Sequence, residues 1–208
     1  MERLEECLAT FDALPEAQRA SVEKVVGIIT EGQKWDLERF EGEGIMSLES
    51  DEELRNYTYQ VAGCVGEFWT EIGFGQGEEF ANCGEDEMMA WGQAYGRSLQ
   101  LINILRDVPE DLQNGRCYLP SGHEVKDLMK ARGKWIAEAR DGLWQADRYA
   151  EALAGKRMRF GTVLPAMIGR ATLDLLEEAS WDDWQRGVKV TRPEVKKMMV
   201  KAAKFALF

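Results

Sequence analysis

Histidine is almost missing from this chain, with His123 alone. The four cysteines, Cys7, Cys64, Cys83 and Cys117, form no Cys-x-x-Cys pair. A zinc site needs several nitrogen or sulfur ligands at short spacing, so zinc chemistry is not expected. The scattered thiols read instead as reduced cysteines of a cytoplasmic protein. Long apolar runs are missing too: nothing approaches the roughly 18–20 residues that a membrane span needs. The N-terminus, MERLEECLATFDALPE, is acidic and has no uninterrupted apolar core, so it does not read as a signal peptide. No Gly-rich dinucleotide fingerprint is found, and no segment offers a credible strand ladder.

What remains is helix after helix. With 208 residues, 45% of them hydrophobic and 30% charged, the chain suffices for one domain with a full core, residues 1–208. The net charge of −11 argues against a nucleic-acid partner. Acidic side chains crowd the first half and basic ones the second. That basic half is either a solvated face or a surface for an anionic substrate or membrane. Apolar periodicity predicts a helix from Pro15 to about Trp35, with Val22, Val25, Val26 and Ile29 on one side. The stretch FEGEGIMSLESDEE reads as a loop, after which Ser50 and Glu53 form a capping box for a helix over 51–72. Gly63 and Gly66 lower helix propensity there, and close approach by another helix or a ligand would compensate.

A Gly/Asn-rich loop over 73–84 leads into a long helix from Glu85 to about Asn114, interrupted by Pro109 and stopped by Gly115. Further helices are expected over 124–154 (with Leu128, Trp135, Leu143, Trp144 and Leu153) and 161–179, with Pro165 in the latter's first turn. The last helix starts near Pro193. It sets Val195, Met198, Met199, Ala202 and Phe205 against Lys196, Lys197, Lys201 and Lys204, a pattern suited either to docking on the core or to contact with anionic lipid.

The run from Gln100 to Pro120, QLINILRDVPEDLQNGRCYLP, concentrates the chemistry. Four-residue steps place Asn103, Asp107 and Asp111 within roughly an 80° arc of one helix face. Glu110 lies at the edge of that arc. Such a stripe is either an ordinary solvated face, with Arg106 and Glu110 as an i,i+4 ion pair, or a set of hard oxygen ligands suited to Mg²⁺. Leu99, Leu101, Ile102, Ile104 and Leu105 surround it with aliphatic residues, so the helix reads as buried and its polar stripe must face a partner, a cavity or an ion.

This run resembles the second aspartate-rich motif of the squalene/phytoene synthase family. The block YTYQVAGCVGEF (Tyr57 to Phe68) is similar to the family's Tyr-containing helix, and DWQRGVKVTRPEVKK, from Asp183 to Lys197, resembles its basic C-terminal segment. The resemblance implies an all-α, isoprenoid-synthase-type bundle around a central cavity. It implies head-to-head joining of two prenyl diphosphates, farnesyl or geranylgeranyl diphosphate, to a squalene-, dehydrosqualene- or phytoene-type product. NADPH would enter only if the product were reduced to squalene. Carried onto this sequence, it makes Asn103, Asp107 and Asp111 the Mg²⁺ ligands. Gln100, Asn103, Arg116 and Arg186 become polar substrate contacts, Tyr57 the active-site tyrosine, and Val61 and Val65 the wall beside an isoprenoid tail. Tyr57 as a core aromatic and Arg116 as a helix-end neighbour are the alternatives.

Two departures accompany the resemblance. The family's first aspartate-rich motif has no match: Asp12 with Glu16, or Asp36 with Glu38, are the only early acidic candidates, and the bundle reads as N-terminally incomplete. Gly169 stands where relatives often carry Tyr. An incomplete cavity would favour self-association or a partner chain that completes it. Three readings follow: a prenyltransferase, peripheral at the membrane or free in the cytoplasm; a catalytically impaired member that binds prenyl diphosphate or serves in assembly; or a helical protein whose acidic stripe is only a solvated face.

Overall fold

The structure, a computed structural model, describes residues 3–76 and 79–207. Three long helices form its spine: α5 (Glu85–Gln113), α6 (Val125–Ala152) and α7 (Lys156–Glu178). Leu101, Ile102 and Leu105 of α5 meet Leu128, Trp135, Ile136 and Leu143 of α6 and Leu173 and Leu176 of α7 in one apolar core. Against this spine packs a helix assembled from α3 (Asp51–Thr58), a single π turn (Tyr59–Gly63) and α4 (Cys64–Phe74), and α2 (Glu16–Arg39) lies on the π turn and α4. The short α8 (Trp181–Gln185) touches α5, and α9 (Arg192–Leu207) lies on α7. The all-helical expectation holds. Besides an isolated bridge of Ala81 with Leu153, the described residues form a two-residue parallel pair, β1 (Met46–Ser47) with β2 (Arg116–Cys117), which ties the loop before α3 to the exit of α5.

Several local expectations need correction. The first helix is α1 (Leu4–Asp12), formed by residues read as a plain acidic terminus; it buries none of them and leaves Leu4 and Leu8 exposed. Pro165 is not in a first turn, because α7 starts at Lys156 and the proline sits in its interior. It withdraws one amide donor from the ladder opposite Gly161. Ser50 does cap α3 by accepting from the Glu53 amide, but the Glu53 carboxylate accepts from the amide of Glu49 rather than of Ser50. Trp144 and Met199, read with the apolar faces of their helices, are exposed, and Arg148 lies over the Trp144 ring. Two residues of the 73–84 loop, Gly77 and Glu78, lie outside the described residues.

The compensation expected for the glycines is a helix. A methyl group at Gly66 would overlap the carbonyl oxygen of Gly92, and one at Gly96 the carbonyl of Ala62, so α4 and the π turn lie backbone to backbone against α5. Gly32 does the same for α2, where a Cβ would come 2.8 Å from Cβ of Gln60. Thr70 then bridges the layers: its hydroxyl donates to the Gly66 carbonyl and shares a 2.9 Å hydrogen bond with Tyr149 of α6.

Gly66→Ala should therefore lower unfolding free energy by about 1–3 kcal/mol or more through overpacking. Gly133 is exposed in α6, and a methyl group added there would meet nothing, so Gly133→Ala should raise it by about 0.5–1 kcal/mol. Urea unfolding of the two variants beside wild type measures both; equal effects would show that the α4–α5 contact is looser than described.

Candidate functional site

The glycine contacts leave a cleft of about 530 Å³ between α4, α5 and α7. Val61, Val65 and Trp69 form one wall, Tyr95 and Leu99 the floor, and Met158, Thr162 and Pro165 the far side. Gln100 and Asn103 lie at its polar end. The Tyr95 hydroxyl donates to the Thr162 carbonyl at 2.7 Å, which fastens α5 to α7 under the cleft. A smaller recess of about 340 Å³, reaching Ile72, Gly73 and Phe80, adjoins it and shares Trp69 and Met158. A Cβ at Gly169 would come 2.9 Å from the terminal methyl of Ile102, which a larger side chain there would have to displace.

Tyr57 does not line this cleft. In a continuous α-helix residues 57, 61 and 65 would share a face. The π turn between Tyr59 and Gly63 breaks that register. Val61 and Val65 face the cleft, while Tyr57 turns into an aromatic stack with Tyr118 (centroids 5.1 Å apart, planes 16° apart) and Trp35 (5.7 Å). Burial first, then the negative charge of Asp36, pushes the Tyr57 phenol up to about 12.

Asp36 organises the other half of the site. Its buried carboxylate accepts from the Tyr118 hydroxyl at 2.6 Å and from the Arg116 guanidinium at 2.5 Å. Arg116 is thus already paired, and its guanidinium also lies over Phe40. Of the early acidic candidates, Asp36 alone is buried. Glu38 is exposed beside Lys34, and Asp12 and Glu16 are exposed near the α1–α2 junction. Tyr118 carries a signal in the sequence that motif spacing passes over: in an extended segment Arg116 and Tyr118, two apart, project to the same side.

The carboxylate stripe is divided. Asp107 is held by its own neighbour Arg106 through two hydrogen bonds, 2.7 and 2.6 Å, which replaces the expected Arg106–Glu110 pair. Asp107 and Glu110 open onto a polar groove of about 740 Å³ whose other bank carries Arg186 and Lys189. Trp184 fixes that bank: it is fully buried, donates to the Leu105 carbonyl at 2.8 Å, and lies under the Arg132 guanidinium. Arg186 itself pairs with Asp183. Asp111 is half-buried between groove and Asp36 cluster. Burial, then repulsion from Asp107, lifts its carboxyl to about 7, with Arg116 opposing and Glu110 and Asp36 adding to the rise.

Among the described residues no three His, Cys, Asp or Glu side chains converge as a ready metal site. The donor chemistry nevertheless fits a hard divalent cation. Asp107 and Asp111 are oxygen donors beside Glu110 and Asp36, and burial first, then this neighbouring negative charge, makes Asp111 give up its proton reluctantly.

Residues 1–194 match the family model described as squalene/phytoene synthase. The phytoene synthase of Thermus thermophilus is 35% identical over 157 residues, covering 69% of this chain and 51% of that protein. Phytoene synthase 3 of Zea mays is 32% identical over 185 residues, covering 81% of this chain and 41% of that protein. The chain thus spans about half the length of these relatives. Among solved structures, a complex of TcSQS with the ligand BPH1237 superposes with a TM-score of 0.78 at 18% identity, over 95% of this chain and 60% of that one. A dehydrosqualene synthase in complex with ligand gives 0.65 at 18% identity, over 88% and 64%. At that identity the likeness is one of fold.

The crowded carboxylates predict a stability test. A carboxyl raised in the folded state loses stability as pH climbs from the unfolded value toward the folded one, between about 4 and 7. Asp111→Asn removes that loss. In metal-free buffer its advantage over wild type should grow up to about pH 7 and level off above it. Discounted for solvent screening of a half-buried group, the gain at pH 8 is on the order of 1–2 kcal/mol. Thermal melts across pH measure it, and an advantage that shrinks with rising pH would contradict the assignment.

Proposed function

The chain belongs to the squalene/phytoene synthase family, and from that premise we propose that it binds prenyl diphosphates and joins two of them head to head. The single observation that carries this reading is that α5 lines an apolar cleft and, about one turn further on, an acidic, arginine-edged groove. The polar rim at Gln100 and Asn103 lies between them. A prenyl diphosphate has the same division, a hydrocarbon tail and a multiply charged head. The tail would lie along Val61, Val65 and Leu99, with the recess past Trp69 and Met158 taking added length.

The head would lie toward Asp107 and Asp111, with Gln100 and Asn103 donating to diphosphate oxygens and Arg186 approaching from the opposite bank. Asn103, Asp107 and Asp111 would hold Mg²⁺, which when bound offsets the charge that builds on the departing diphosphate. Arg106 would exchange Asp107 for phosphate oxygens, an anion its planar fork also fits. Arg116 holds Asp36 in place and so keeps that carboxylate from repelling the head group. Tyr57, stacked on Tyr118 outside the cleft and with its phenol pushed up to about 12, stays protonated near neutral pH and packs the Asp36 cluster rather than acting as a base. The apolar wall excludes water from a reactive allylic cation.

A second reading has its own support. Asp36 is the one buried carboxylate facing the stripe from α2, and it is already engaged by Tyr118 and Arg116. A chain with only one acidic cluster free for cations would bind prenyl diphosphate without turning it over, as a binding or assembly subunit.

One experiment separates these. With Mg²⁺ and farnesyl or geranylgeranyl diphosphate, the first reading expects diphosphate release and a C30 or C40 product, reduced about a hundredfold or more in Asp107→Ala. Binding of the substrate by calorimetry with Mg²⁺, weakened in Asp107→Ala but without release, selects the second. Neither binding nor release defeats both and leaves the stripe a solvated face.

A further inference from the structure

The inner face of α9 is fully accounted for. Ala202 is buried with Ala150 and Val163, and Phe205 packs on the same cluster with Phe160 and Leu164. The outer face is not accounted for by packing. Val200 and Leu207 are both 59% exposed. Seven residues apart, they fall within roughly 20° of each other on the helix surface. Arg192 and Lys196 border them on one side and Lys197 and Lys204 on the other, all exposed. Among the described residues none of the lysines of α9 is within ion-pair distance of a carboxylate. The single acid of the helix, Glu194, is turned back to accept from the amide and hydroxyl of Thr191.

Two apolar side chains between two rows of cations, on the solvent side of a docked helix, suit a boundary that is anionic above and oily below. Lysine stems can lie along an apolar layer while their ammonium groups reach the charged headgroups. The charge argument sharpens this, because the whole chain carries −11, so an anionic surface is approached preferentially through a local basic patch of this kind. The patch would therefore orient the molecule as well as hold it. No helix of the described residues is long and apolar enough to cross a membrane.

We propose that the outer face of α9 docks on an anionic lipid surface through Arg192, Lys196, Lys197 and Lys204, with Val200 and Leu207 entering the headgroup layer. The cluster that seats α9 includes Phe160 and Val163 from the first half of α7, and the adjoining Met158, Gly161 and Thr162 line the cleft. Docking thus brings the bilayer to the helix that forms the cleft's far side. The inference does not depend on the catalytic reading, since it concerns a different face and needs no substrate.

Sedimentation of the full chain with phosphatidylcholine vesicles, with and without about 30% phosphatidylserine, tests it at low and raised salt. Binding is expected only with phosphatidylserine and should fall as salt rises. Lys196→Gln, Lys197→Gln and Lys204→Gln together should weaken it about a hundredfold, at roughly fivefold per lysine. Val200→Asp should weaken it as well. All four side chains are exposed, and circular dichroism melts confirm that the variants keep their fold. No binding to anionic vesicles, or binding indifferent to these changes, overturns the proposal. So does retention on heparin or RNA without vesicle binding, which would make the face a site for another polyanion.

Discussion

The backbone contact between α4 and α5 sets everything around it. Gly66 faces Gly92 and Gly96 faces Ala62 with no side chain between them. Two helices this close must splay where their side chains become larger, and α7 closes over the splay from the other side. The cleft is the space left between them. Its apolar wall and polar end are consequences of which residues of α4 and α5 lie just beyond the glycines. Fill the contact with methyl groups and the helices separate, taking Val61, Val65, Gln100 and Asn103 out of mutual reach.

Electrostatics at the end of α5 follows a different logic. A folded protein gains nothing by crowding Asp107, Glu110, Asp111 and Asp36, and the carboxyl of Asp111, raised by burial first and by its charged neighbours second, shows the strain. Arg106 and Arg116 reduce that strain without removing it. Local rules broken at one point, while the rest of the chain obeys them, are what a functional site looks like before its ligand arrives. Trp184 and Arg132 bear on this indirectly: by fixing the turn after α8 they hold Arg186 and Lys189 across from the carboxylates.

Much of this is legible in the sequence. The buried α5 can be read from aliphatic residues on nearly every face, the glycine contact from Gly63 and Gly66 inside a helical pattern, and the fold from three blocks in the right order. The placement of Tyr57 is not legible, because helical spacing assumes a constant turn and nothing in YTYQVAGCVG announces an extra residue in one turn. Arg106 choosing Asp107 over Glu110 depends on side-chain geometry at one step of the helix, which spacing rules do not resolve. The Asp36–Arg116–Tyr118 cluster joins residues some eighty positions apart, and only the folded chain brings them together. The dual character of α9 also exceeds the pattern: docking and a free basic face read as alternatives, and the helix presents both on opposite sides.

The π turn at Tyr59–Gly63 has a further meaning. One helix runs along the site, yet Tyr57 before the turn meets a buried, hydrogen-bonded cluster, while Val61 within the turn and Val65 after it face an apolar wall. A regular helix would have sent the same stripe of side chains to one environment throughout. The single irregular turn lets one continuous element change solvent partway along, so that an amphiphile lying beside it would meet matching polarity from head to tail.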